Sequence, residues 1–161
     1  MTAPDNQQNV TLFEERVYPS PWSLLPAILL GLGVWLVSLP ILDALLSGFL
    51  GAATSLATIA AFAASAYRVA VVKSTSGYVL HVASARIPLS KLGVARVATG
   101  SEMARERGPN LDARSYRKFQ SGVKSLVIVE VVDENDPTPC WAFNVRHAER
   151  LLAALETEKA I

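Results

Sequence analysis

The sequence predicts an α+β protein: an N-terminal two-helix transmembrane hairpin, then a small antiparallel β roll closed by a C-terminal amphipathic helix. Three observations predict it. Ser23 to Ala66 runs 44 residues with one charged side chain, Asp43. From Tyr67 onward the apolar residues alternate with a period of two, as in half-buried strands. Near the C terminus Ala148, Leu151, Leu152 and Leu155 recur at i, i+3, i+4 and i+7, which places one apolar stripe on a helix.

These observations divide the chain into a polar leader (1–21), the hairpin (22–66) and a domain (67–161). A span needs roughly 20 apolar residues to cross a ~30 Å hydrocarbon core, so the apolar stretch is too long for one helix and suited to two. A carboxylate at mid-bilayer is costly, and one in a turn at the interface is not. Helix one is therefore expected from about Trp22 to Leu42, and helix two from about Ala44 to Ala66, with a tight turn at Asp43. Pro26 falls in the first turn of helix one, where a missing N–H is tolerated. Trp22 and Tyr67 flank the pair as interfacial aromatics.

Arg16 precedes the hairpin, Arg68 and Lys73 follow it, and the turn has no basic residue. By the positive-inside rule both termini face the cytoplasm. The protein is thus expected in the cell membrane, with the lipid bilayer as its first partner. A secretory signal fits less well, because the leader carries Asp5, Glu14 and Glu15 against one arginine. In helix two, Ser47, Gly51 and Ser55, and also Gly48 and Ala52, lie four residues apart. Such spacing lets another helix approach closely. That helix is either helix one or a membrane protein partner.

The leader itself is expected to carry no chemistry, with its first ten residues mobile. Past the hairpin, Tyr67–Val71 and Tyr78–Val82 alternate around the polar loop 73–77, a β-hairpin. Short runs at 86–89 and 94–98 follow, with Pro88 marking an edge or strand end. Ser101 is the expected N-cap of a helix stopped by Gly108-Pro109. Residues 110–122 are irregular and basic. Lys124–Asp133 is the strongest strand, 133–139 is a turn by composition, and Cys140–Val145 returns with Trp141, Phe143 and Val145 on one face. Asn144 is expected to cap the last helix.

The net charge of +1 conceals an asymmetry: residues 1–66 hold one basic and four acidic residues, and residues 67–161 hold fourteen and ten. A positive domain beneath an anionic leaflet is drawn to it. The candidate interaction surface is Arg105, Arg107, Arg114, Arg117 and Lys118, facing anionic lipid head groups or an acidic partner protein. Nucleic acid is not expected, because no stacking platform or recognition helix accompanies these charges.

Cys140 is the only cysteine. That excludes an internal disulfide and fits a reducing compartment. His81 and His147 are far apart, and the acidic turn Asp133–Asp136 lacks the glycine and closing glutamate of a calcium loop. Neither a metal nor a cofactor is expected, and no catalytic set appears. No phosphate loop or nucleophile elbow is present.

Two stretches carry a resemblance. Val132 to Trp141, with Asp133, Asp136, Pro137, Thr138, Pro139 and Trp141 as its signature and Arg146 beyond it, resembles the DPTPYW-type signature of the DUF3093 family. These are small membrane proteins of actinobacteria without an assigned function. Glu15-Arg16 and Leu111 to Tyr116 also sit where that family has similar residues. Cys140 stands where the pattern has Tyr, and His147-Ala148 where it has Arg-Pro. The layout is similar as well to bacterial PH-like domains tethered to a transmembrane hairpin, with Arg86 to Ser90 in the segment between strands. This fold analogy implies no activity.

Three functions follow as expectations. The first is a non-enzymatic membrane-anchored adaptor. The second is an accessory subunit of a larger membrane transporter or enzyme complex, docked through helix two. The third is a role for Asp43 or the acidic turn in a transporter or enzyme. The oligomeric state is open.

Overall fold

The computed structural model describes residues 11–75 and 77–159, so the expected mobility of the first ten residues lies outside it. Two compact units emerge. One combines the strand ending at Val17 with Tyr67–Phe119 and the chain from Lys124 onward, and the other holds Tyr18–Ala66 and Gln120–Val123.

The helical unit opens with a 3₁₀ turn, Pro21–Leu24, which leads into α1 (Leu25–Ser38); α2 spans Ala44–Ala64. Helix one therefore stops four residues short of Leu42. The amides of Ile41 and Leu42 donate to the Ser38 carbonyl at 3.0 and 2.9 Å, closing a turn. Asp43 then starts α2 as its N-cap, accepting the Leu46 amide at 2.9 Å. A short acceptor before the first turn satisfies an amide that the helix cannot.

The two helices run antiparallel, with Gly31 against Ser55 and Gly51, and Gly51 against Trp35. Ser47 and Gly51 are buried against α1. Gly48 has nothing within 4 Å of a built Cβ, and Ala52 is exposed. The small-residue face thus splits: Ser47, Gly51 and Ser55 serve the packing of α1, and Gly48 and Ala52 do not. Large apolar side chains cover the outside, Leu45 at 88% exposure, Ile41 at 83% and Phe49 at 70%. The 21-residue α2 is long and apolar enough to cross a membrane, and the shorter α1 is not by itself.

The loop Gln120–Val123, expected within the C-terminal domain, belongs to this unit. Ser121 accepts the Ser20 amide at 3.0 Å, and Gln120 Nε2 donates to Ser65 Oγ at 3.2 Å. Gly122 sits at φ +73, where a Cβ would strike Ser20, so glycine is required there.

The other unit holds two four-stranded sheets. The first is β1 (Thr11–Val17), β2 (Tyr67–Ser74), β3 (Gly77–Val82) and β4 (Ala85–Pro88), antiparallel in that order. Here the leader reading is corrected: residues 11–17 are a strand paired along β2. Phe13 and Val17 point into the core while Glu14 and Arg16 face out. Pro88 does end an edge strand, where its missing N–H costs no ladder bond.

The second sheet contains β5 (Leu92–Thr99), β6 (Tyr116–Lys118), β7 (Ser125–Val131) and β8 (Cys140–Asn144), in the order β5-β7-β8-β6. β6 pairs parallel to β8 inside the segment expected to be irregular. Helix α3 (Gly100–Arg107) is preceded by Thr99, not capped by Ser101. Leu126, Ile128, Ala98 and Ala142 form a core cluster with Met103 of α3, Leu111 and Phe119 packed against it. Val127, Val129, Trp141 and Phe143 are buried on the opposite face. Burial on both faces accounts for the unbroken apolar run of β7. Helix α4 (Ala148–Lys159) lies against β1 and β2 of one sheet and β5 and β7 of the other. Its Ala148, Leu151 and Leu155 are buried there. The class is α+β, with two sheets where one curved roll was expected.

Candidate functional site

The five cations expected to form one surface have separate fates. Arg114 grips Asp112, with Nε at 3.2 Å and Nη2 at 2.9 Å. These bonds hold the Asp112 carboxyl down at about 2 and push the Arg114 guanidinium up. Arg107 donates to Asn144 Oδ1 at 2.9 Å and stacks 4.7 Å from the Phe119 ring. Lys118 holds its ammonium 5.7 Å over the Tyr67 ring. Arg105 and Arg117 alone of the five are exposed with no ion pair among the described residues.

The signature turn is likewise occupied by its own chain. Asp133 accepts Lys91 Nζ at 2.5 Å and the Asn135 amide at 3.2 Å. Asp136 accepts the Thr138 amide at 2.9 Å. Lys91 first, and the Asn135 amide after it, lower the Asp133 carboxyl; the bonds from Thr138 lower that of Asp136. A carboxyl lowered in the folded state adds stability above its unfolded value near 3.9, and that stability is lost as pH falls through the folded value. Acid titration should therefore weaken the fold below about pH 4. Asp136→Asn should flatten that slope in unfolding curves recorded between about pH 5 and about pH 2.

The stretches 111–116 and 136–141 meet. Tyr116 of β6 is in register with Trp141 of β8, their ring centroids 4.8 Å apart. Ser115 Oγ lies 3.1 Å from Cys140 Sγ. The Tyr116 hydroxyl donates to the Val82 carbonyl at 3.0 Å, joining the second sheet to the first. Burial raises its pKa.

Beside this contact lies a polar hub that the sequence reading missed. Tyr67, expected as an interfacial aromatic, is 5% exposed and donates to the Asn144 carbonyl at 2.6 Å. Burial pushes its hydroxyl pKa up. Asn144, expected as a helix cap, is fully buried, and its Nδ2 donates to the Ser125 carbonyl at 2.5 Å. Ser125 Oγ donates to the Val145 carbonyl. Just ahead of α4 stands Glu15 of β1, whose carboxylate accepts the Arg146 amide at 2.7 Å and the His147 amide at 3.0 Å. His147 Nδ1 lies 3.0 Å from the same carboxylate. Negative charge suits a helix start. Glu15→Ala should cost about 2 kcal/mol in chemical unfolding, because both amides lose a charged acceptor.

The outer face of the first sheet carries a further group. Glu14, Ala70, His81 and Arg86 stand in one row across the four strands, and Arg16 and Arg68 stand in the next. Arg68 Nη2 meets Glu14 at 2.8 Å. Arg68, His81 and Arg86 line a recess of about 390 Å³ together with Thr11, Ala70, Val72 and Ala83. The pairing of residues 67–71 with 78–82 puts Arg68, Ala70 and His81 on one face, and β1 and β4 add Glu14 and Arg86.

A family model for proteins of unknown function, DUF3093, matches residues 12–155. The chain belongs to the DUF3093 family. No curated protein and no solved structure matches it. In this DUF3093 chain the stretches that carry the resemblance are partners in space: Ser115 and Tyr116 with Cys140 and Trp141, and Glu15 with Arg146 and His147.

Proposed function

We propose that this DUF3093 protein is a non-enzymatic adaptor anchored in the cell membrane by a two-helix hairpin. Its PH-like domain, in this reading, engages a partner protein or an anionic lipid surface. The supporting observation is the apolar exterior of α1, α2 and the turn between them, where Ile41, Val37, Leu45, Phe49 and Leu56 are all at least 67% exposed. Exposed apolar surface of that extent calls for lipid or another protein. The 3₁₀ turn with α1 gives a rise of about 29 Å, and α2 about 31 Å, each close to a hydrocarbon core. Arg16, Arg68 and Lys73 flank the hairpin and the turn has no basic residue, which favours cytoplasmic termini. Two sheets with a C-terminal helix against both support the PH-like reading. Of the five expected cations, Arg105 and Arg117 are the ones left for a partner.

Alkaline carbonate washing of membranes from cells expressing the full chain tests the anchor. The protein should stay in the pellet, and release into the supernatant would contradict the anchor. Charge reversal at Arg105 and Arg117 should leave it in the pellet but remove proteins that co-purify in mild detergent. An unchanged set would contradict the adaptor surface. The second reading, an accessory subunit docked through helix two, is favoured by the uncovered Gly48 and Ala52. Gly48→Leu should then release the larger complex.

A further inference from the structure

We propose that the recess on the outer face of the β1–β4 sheet is an oxyanion site, in which Arg68, His81 and Arg86 take the phosphate of a phosphate monoester. The inference does not rest on the membrane anchor, since the recess is built entirely from the β unit.

The site follows from register. His81 of β3 is directly opposite Ala70 on one side and Arg86 on the other. The turn Ala83-Ser84 fixes that pairing, with Ala83 at φ 55. Arg68 lies two residues from Ala70 along β2, on the same face, its carbonyl accepting the Ala83 amide at 2.8 Å. The small side chains of buried Ala70 and exposed Ala83 leave room between Arg68, His81 and Arg86, which line the same recess. A larger residue at either position would fill the recess. Its volume exceeds that of a phosphate ion and leaves room for the esterified group.

Charge points the same way. The face carries Arg16, Arg68 and Arg86 against one carboxylate, Glu14. Arg86 is exposed and makes no ion pair among the described residues. Arg68 meets Glu14 through Nη2 alone, and a guanidinium has five N–H donors. Two such forks suit a tetrahedral oxyanion, which they can grip in pairs of bonds. The His81 imidazole is pushed below its usual range by burial first, then by Arg86 and Arg68. An anion between the arginines would offset their repulsion, so His81 would take up a proton as phosphate binds.

The test uses the full chain in nonionic detergent micelles, with the imidazoles isotopically labelled for NMR. His147, held at Glu15, is the internal reference. Inorganic phosphate is titrated against sodium chloride at equal ionic strength. In parallel, the chain in phosphatidylcholine nanodiscs is compared with and without phosphatidic acid. The expected result is a saturable shift of His81 and a raised His81 titration midpoint, with His147 unmoved. Arg86→Gln should weaken binding about tenfold or more, and Arg86→Lys less. A response to free phosphate identifies a soluble ligand, and a response confined to phosphatidic acid identifies a lipid headgroup. A His81 response no larger than that to sodium chloride in both arms overturns the proposal. So does binding unchanged in both Arg68→Gln and Arg86→Gln.

Discussion

Gly31→Leu is expected to separate α1 from α2 and to cost the full chain about 3 kcal/mol or more, the upper range for overpacking. A Cβ at Gly31 would collide with Ser55 Oγ and with the Gly51 carbonyl oxygen. One at Gly51 would lie 2.7 Å from the Gly31 carbonyl and 2.8 Å from Trp35 Cβ. Backbone faces backbone at this crossing, so no rotamer change makes room and a helix must move. If the helices lie in lipid, their association depends on close packing, since lipid tails are as apolar as the side chains. Gly33 is the control: it too is in α1, and a Cβ there meets nothing within 4 Å. Thermal unfolding in detergent should show Gly31→Leu strongly destabilised and Gly33→Leu near wild type. Equal melting of the two variants would show that α1 and α2 do not cross at Gly31. The same geometry makes Gly51 a poor probe of docking on another protein, because Gly51→Leu breaks the hairpin first.

Asn144→Ala should lower unfolding free energy by about 3 kcal/mol. The amide is fully buried and bridges Arg107 on one side and the Ser125 carbonyl on the other. Alanine leaves the Ser125 acceptor without that donor and opens a small cavity. Arg107 is half-buried and can recover water, so most of the loss comes from Ser125. Arg107→Ala combined with Asn144→Ala should therefore cost less than the two changes added, because they share a bond. Denaturant unfolding of the four chains in this cycle checks it. Full additivity would mean that the Arg107–Asn144 bond contributes nothing.

Much of the architecture was legible because the period of the pattern changes where the structure changes. The end of α2, at Ala64 where about Ala66 was expected, the β2–β3 hairpin and the stripe of α4 all follow from spacing. The turn at Asp43 was read correctly, and its helix-capping bond to Leu46 supplies the local cause. Three features escaped for physical reasons. β1 alternates over only seven residues and pairs with a strand 50 residues away, so nothing local marks it. β6 has three residues and pairs in parallel, too short to show a period. Asn144 and Tyr67 were assigned by residue type to a cap and an interface, but tertiary contacts buried both. Sequence proximity likewise gathered Arg107, Arg114 and Lys118 with Arg105 and Arg117, and it could not show that the first three meet partners within the chain. The Arg68, His81 and Arg86 group went the other way, spread along 19 residues and joined only by strand register.

The most direct test of the central claim labels single cysteines in a Cys140→Ala background with a membrane-impermeant maleimide. Ile41→Cys, in the turn between the helices, should react on intact cells, and Ser84→Cys, in the β3–β4 turn, only after the membrane is opened. Labelling of both residues from the same side, or recovery of the protein in the soluble fraction, would contradict a two-helix anchor with its termini inside.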